Sequence, residues 1–275
     1  MRCKEIWSFE DEQSLKHFEH ALQLGDLAGT LLAIEGASAR GREDCRGYLR
    51  ELGKRVIELD AASDARARLA QVLVEQENFR GDEAQYFAPR NSFLSHVLER
   101  RRGLPILLSS VWMLTGQEAG VAVQGVGLPG HFIVRIGGEN GALVDPFAGG
   151  RTLTIQDCSE LVLQLSGGSL DWSDRYLAPY HLVQLLDRVM RNLMHSYRRL
   201  AEPENLLRIA RFAAALHSDE PEPRLMHARL AEALGGRALA LESYQAILER
   251  FRGTPAAQLA AERAIALEGE QFLVD

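Results

Sequence analysis

The chain has 275 residues, 46% hydrophobic and 25% charged, an ordinary globular composition and not that of a disordered or collagen-like chain. At roughly 150 residues per domain, this length predicts about two domains with cores that need no disulfide or metal staple. With 38 acidic against 31 basic residues the net charge is −7, a balance that argues against a nucleic-acid partner, which calls for a basic face.

Three cysteines, Cys3, Cys45 and Cys158, lie far apart without CxxC spacing, so they do not read as a disulfide framework. The opening MRCKEIWSFEDEQ places acids where a secretory signal needs an apolar stretch. The longest apolar run, residues 106–114, is far short of the about 20 residues that span a bilayer. A cytoplasmic protein of bacterial type, with no membrane partner, is expected.

In chain order, residues 13–76 are helical by pattern. Their apolar clusters are Leu27, Leu31, Leu32 and Ile34, then Tyr48, Leu49, Leu52, Val56 and Leu59, then Leu69, Val72 and Leu73. A loop over 78–92 follows, with Asn91 or Ser92 as cap of a helix over 93–102. That helix ends in Arg100, Arg101 and Arg102, which oppose the negative end of the helix dipole, with Gly103 as the left-handed closing residue. A phosphate or carboxylate site is the sharper reading of the same arginines. Pro105 suits the first position of the next helix, and this helix is apolar on every side, so it is expected in the middle of a domain.

The period then changes. Residues 121–128, 131–136 and 142–145 read as strands, the last two joined by a glycine-rich turn over 137–141. Helices followed by an antiparallel meander predict an α+β fold. After Pro179 the chain is helical again. Pro221 and Pro255 stand 34 residues apart, the tetratricopeptide period, and Ala240, Tyr244 and Ile247 carry the small–aromatic–apolar spacing of a repeat helix. The equivalent helix over 206–216 matches less well. The expected division is 1–178 and 179–275.

His131 and Asp145 stand on neighbouring predicted strands. An even pairing register puts both on one sheet face, whereas a one-residue slip separates them. A carboxylate beside an imidazole orients the ring and fixes its tautomer, which is the base-plus-orienter half of a nucleophilic triad. A lone pair of this kind is also common as a structural feature of a sheet. The nucleophile is missing. His17 and His20 share a helix face, but no further ligand joins them, so no metal and no cofactor are expected. There is no phosphate-binding glycine loop, since Gly125-Val-Gly-Leu-Pro-Gly leads into a strand and not a helix.

The stretches Asn91-Ser-Phe-Leu-Ser-His-Val-Leu-Glu-Arg-Arg-Arg-Gly-Leu-Pro-Ile-Leu-Leu-Ser, Gly125-Val-Gly-Leu-Pro-Gly-His-Phe-Ile-Val-Arg and Val144-Asp-Pro-Phe-Ala-Gly resemble the bacterial SirB-type family. The resemblance covers most of the chain. It implies a transglutaminase-like (papain-like) core, with a buried central helix and an antiparallel sheet, followed by tetratricopeptide-like hairpins. The wider superfamily uses Cys, His and Asp, with the Cys opening the central helix roughly 15 residues before a glycine. Counting back from Gly120 reaches Pro105, while His131 and Asp145 match the His and Asp. The resemblance thus implies a cleft with Asn91, Arg101, Pro105 and Phe132 about it, but with proline in place of the thiol. Ser109, one turn deeper on the same helix face, is a speculative substitute; a hydroxyl bonded back to the Pro105 carbonyl is the plainer reading. Cys158 reads as a packed thiol.

Beside a purely structural assembly subunit, two functions follow. One is a non-catalytic regulatory protein that binds a protein or peptide partner through the repeat groove. The other is an amide- or peptide-bond hydrolase or acyltransferase, with His131 as base, Asp145 as its orienter and Ser109 or water as nucleophile.

Overall fold

The computed structural model describes residues 9–271. Cys3 and most of the acidic opening read above as no signal segment lie outside the described residues.

The elements run, in chain order, α1 (Phe9–Gln23), α2 (Leu27–Glu35), α3 (Ala39–Glu58) and α4 (Ala65–Ala70), the last continuing as a π-turn over Gln71–Gln76. Then come β1 (Arg80–Gly81), a 3-10 turn at Pro89–Ser92, α5 (Leu94–Arg100), β2 (Arg102–Gly103) and α6 (Pro105–Glu118). The strands β3 (Val123–Leu128), β4 (His131–Ile136), β5 (Ala142–Asp145) and β6 (Arg151–Leu153) precede α7 (Ile155–Leu165). After a short 3-10 turn at Asp174–Leu177 come α8 (Leu182–Leu200), α9 (Pro203–Leu216), α10 (Pro221–Ala233), α11 (Arg237–Arg250) and α12 (Pro255–Gln271). None of these helices is long and apolar enough to cross a membrane.

The described chain forms two compact units, residues 25–192 and residues 9–24 with 193–271. These do not coincide with the division at 178/179. The segment after 178 is tied to the sheet of the first unit, by a bridge from Pro179 to Val126 and a 2.8 Å bond from the Tyr180 N–H to the Gly125 carbonyl. The helix α1 packs instead on α9, where the Phe18 and Phe212 rings meet edge to face at 5.3 Å and Arg208 pairs with Asp11 at 2.9 Å.

In the unit of residues 25–192, α6 is the hydrophobic centre. Eleven of its fourteen residues are buried, as a helix apolar on all sides requires, and Pro105 occupies its first turn. The strands form an antiparallel meander in the order β3-β4-β5-β6. Leu128 pairs with His131 across a two-residue turn, in which Pro129 presets its own φ and Gly130 takes φ +78°. Side chains alternate between the two sheet faces. Phe132 lies on the face toward α6; the other face carries Val126, Leu128, Ile133, Leu143 and Leu153, which pack with Cys158 and Val162 of α7.

Two local expectations are corrected. The cap of α5 is Phe93, with no side-chain bond, because Asn91 and Ser92 lie buried in the preceding 3-10 turn. The left-handed residue that ends α5 is Arg101, at φ 58°, not Gly103, which is in β2. The strand β6 and helix α7 were unforeseen; α7 opens with a capping box between Thr154 and Asp157.

In the other unit, α9 to α12 pack each on the next in sequence. Pro221 and Pro255 open α10 and α12. Ala240, Tyr244 and Ile247 are fully buried in the core shared by these helices, so the spacing read from the sequence is the spacing of a packed face.

Candidate functional site

The register of β4 and β5 pairs Val134 with Val144, an even sum, so Asp145 lies one diagonal step from His131 on the same face. His131 Nε2 and Asp145 Oδ2 are 2.8 Å apart, and both residues are buried. A carboxylate only accepts, so Nε2 carries the proton and, in the neutral ring, Nδ1 keeps its lone pair. The second oxygen, Oδ1, accepts the backbone N–H groups of Phe147 at 2.9 Å and Ala148 at 3.2 Å. This is an Asx-type turn made by Asp145-Pro146-Phe147. The Phe147 ring stands edge-on to the imidazole at 6.0 Å and meets Tyr86 at 5.9 Å. Its carbonyl accepts the Gly81 N–H at 3.0 Å, and a Cβ on Gly81 would stand 2.5 Å from the ring. Only glycine permits so close an approach. Sequence reasoning missed Phe147, Tyr86 and Gly81; the signal present was the Asp-Pro pair, which initiates such a turn.

The remaining residues of the expected site are placed as follows. Pro105 is buried at the start of α6, and its ring has no atom able to bond an imidazole. Ser109 is fully buried, and its hydroxyl donates to the Phe132 carbonyl at 3.4 Å, not to Pro105. Ser110 is the serine that bonds back one turn, to Ile106 at 2.8 Å. Among the described residues no hydrogen bond joins Ser109 to His131. Phe132, next to His131 in the strand, points to the other face, where its ring meets Tyr180 edge-on at 5.2 Å. Asn91 donates to the Gln85 carbonyl at 2.7 Å and accepts from Arg100 at 2.8 Å. Arg101 pairs with Glu77 at 3.0 Å and lies over the Tyr48 ring. Burial alone would raise the Glu77 carboxyl, but its bonds from Tyr48, Arg55 and Arg101 outweigh this and hold it below the usual range. Asn91 and Arg101 therefore brace the ends of α5 within the fold.

Neither described cysteine has the environment of an activated thiol. Cys158 is fully buried, and its pKa is pushed up to about 11, by burial first and then by the charges of Asp157 and Asp145. Cys45 is raised to about 11, by burial and then by Glu35 and Asp44. A catalytic thiol needs the opposite shift. Among the described residues no group of three His, Cys, Asp or Glu side chains could hold a metal ion.

A buried helix packed on an antiparallel sheet that carries a bonded His–Asp pair defines a transglutaminase-like core. The model of the transglutaminase-like superfamily matches residues 43–191, more than half of the chain, and the chain belongs to that superfamily. Among curated proteins it is similar to a UPF0162 protein of Xylella fastidiosa, 29% identical over 82% of each chain. A UPF0162 protein of Pseudomonas aeruginosa is 34% identical over 56% of this chain and 59% of its own. The F-box only protein 21 of Mus musculus is 27% identical over 66% of this chain, and the match spans only 30% of that protein. No solved structure matches the chain.

Proposed function

We propose that this chain is a non-catalytic, SirB-type member of the superfamily, a cytoplasmic regulatory protein that binds a protein or peptide partner. In this reading the transglutaminase-like core within residues 25–192 and the tetratricopeptide-like hairpins of α9 to α12 are its two working parts. The His131–Asp145 pair holds a peptide amide or chain end in the core cleft, and the helical hairpins supply a groove. The observation that carries the reading is Pro105 at the first position of α6, where the resemblance implies the superfamily thiol. A pyrrolidine ring cannot form a thioester, and loss of a covalent nucleophile costs orders of magnitude in rate.

A second reading has one observation in its favour. With Nε2 bonded to Asp145, the lone pair of Nδ1 is left for a proton, the arrangement of a general base acting on water. The two are separated by assaying the purified chain on ester, thioester and peptide substrates beside His131→Ala and Pro105→Cys. The binding reading expects no turnover in the wild type and acyl-enzyme formation only in Pro105→Cys. Wild-type turnover that disappears in His131→Ala overturns it in favour of a hydrolase.

A further inference from the structure

A second concentration of charge lies in the unit of residues 25–192, at the parallel ladder of β1 and β2. Its register sets Arg80 directly opposite Arg102. Partners in a ladder project to the same face, and like charges placed so destabilise a sheet. Arg90 and Arg100 reach the same place, and the four arginines line a cleft of about 540 Å³ with Asp82 and Glu83. Asp82 is already engaged, by Arg100 at 2.7 Å and the Gln85 N–H at 3.0 Å. These bonds hold its carboxyl below the usual range although burial pushes the other way. Among the described residues no carboxylate forms an ion pair with Arg80, Arg90 or Arg102. One Arg102 nitrogen donates to the Asn78 and Arg101 carbonyls at 2.8 Å, and Arg90 donates to the Gln85 side chain, so both are held by neutral oxygens. The Arg102 guanidinium gives up its proton more readily than usual, through burial first and the charge of Arg80 second. An acidic chain thus gathers four arginines against two carboxylates, Asp82 and Glu83, in one concavity, and three of the four have no direct ion pair among the described residues.

We propose that this cleft is an oxyanion-binding site, which takes a ligand group of two or more negative charges, phosphoryl or carboxylate, between Arg80, Arg90 and Arg102. The planar fork of a guanidinium matches either group with two parallel hydrogen bonds. The bound anion supplies the countercharge that the opposed arginines lack. Gly81, which lines the cleft, bonds Phe147, and the Phe147 ring meets the His131 ring, so these two residues link the cleft to the His–Asp pair. The site stands on its own residues and does not depend on the binding or hydrolytic reading of that pair.

The test is calorimetric titration of the full chain with pyrophosphate and, separately, with citrate, at 50 and 300 mM sodium chloride. Saturable binding of one or both is expected, at least tenfold weaker at the higher salt. Pyrophosphate alone identifies a phosphoryl ligand, and citrate alone a carboxylate one. Arg80→Ala/Arg102→Ala is expected to weaken binding at least tenfold, Arg80→Lys/Arg102→Lys less, and Arg40→Ala, an exposed arginine of α3, not at all. Arg80 is exposed, so Arg80→Ala alone carries the test if the double variant does not fold. No saturable binding of either probe at low salt, or binding undiminished in the Arg80 and Arg102 variants, overturns the proposal.

Discussion

Two buried histidines, one in each compact unit, show how a single partner decides what an imidazole can do. His131 bonds a carboxylate that is itself held by two backbone N–H groups, and it keeps a small opening to solvent, 9% of its surface. His227, on α10, is 1% exposed and, among the described residues, bonds only the Ser243 hydroxyl of α11, at 2.9 Å, and has no partner for its Nε2. Burial first, then the charges of Arg211 and Arg224, push the His227 pKa down to about 3. That ring is a neutral packing element at any ordinary pH. The first is held by a carboxylate beside a small opening to solvent; the second is part of a wall.

The largest effect is expected from removing the carboxylate. Asp145→Ala leaves the buried His131 Nε2–H without an acceptor and frees two part-buried backbone N–H groups, at a cost of roughly 3–5 kcal/mol. Urea unfolding measures it. Asp145→Asn keeps an oxygen for the backbone but offers its amide N–H to His131, so the ring proton must move to Nδ1. Nitrogen-15 NMR of the imidazole is expected to show that exchange of tautomers, with a smaller loss of stability. An unchanged tautomer would mean that Asp145 does not orient the ring.

The next effect belongs to His227 and runs with pH. Its folded pKa of about 3 lies below the ordinary imidazole value of 6.5, so the unfolded chain takes up a proton that the folded chain refuses. The stability this ring contributes is complete above about pH 6.5 and is lost as pH falls toward 3. The slope is about 1.4 kcal/mol per pH unit for one proton. The difference between wild type and His227→Leu, measured by urea unfolding from pH 7 to pH 4, should show that slope. A flat difference would mean that the ring is not desolvated, and the contrast with His131 would lose its basis.

How much of this was legible in the sequence follows from what each feature depends on. The bounds of β4 and β5 coincide with the expected strands, and α6 begins at Pro105, because alternation and proline act locally. The meeting of His131 with Asp145 was conditional, since it rests on a register that sequence leaves open by one residue. Gly103 lost the closing position of α5 to Arg101 because a tertiary bond from Arg101 to Glu77, with stacking on Tyr48, outweighs a local preference of about 1 kcal/mol. Asn91 lost its cap for the same reason: Arg100 and the Gln85 carbonyl claim its amide. The strand β6 is three residues long, too short for a periodic signal. What sequence could not show was the second hydrogen-bonding partner of each polar group, and that is where the site was completed.

The smallest effect makes the sharpest use of the comparison. Ser243→Ala removes one neutral hydrogen bond from His227, in the middle of α11. An unmade bond of this kind costs about 1–2 kcal/mol when it leaves a buried ring nitrogen unpaired. Alanine returns about 0.5 kcal/mol through its better helix propensity. A net loss near 1 kcal/mol is therefore expected, with no change in the pH slope beyond that loss, because burial and the neighbouring arginines still refuse the proton. The two histidines each lose a single side-chain partner in these experiments, yet Asp145→Ala should cost about three times as much. If Ser243→Ala costs the same, charge is not what separates the two rings, and the His131 corner is one more piece of packed interior.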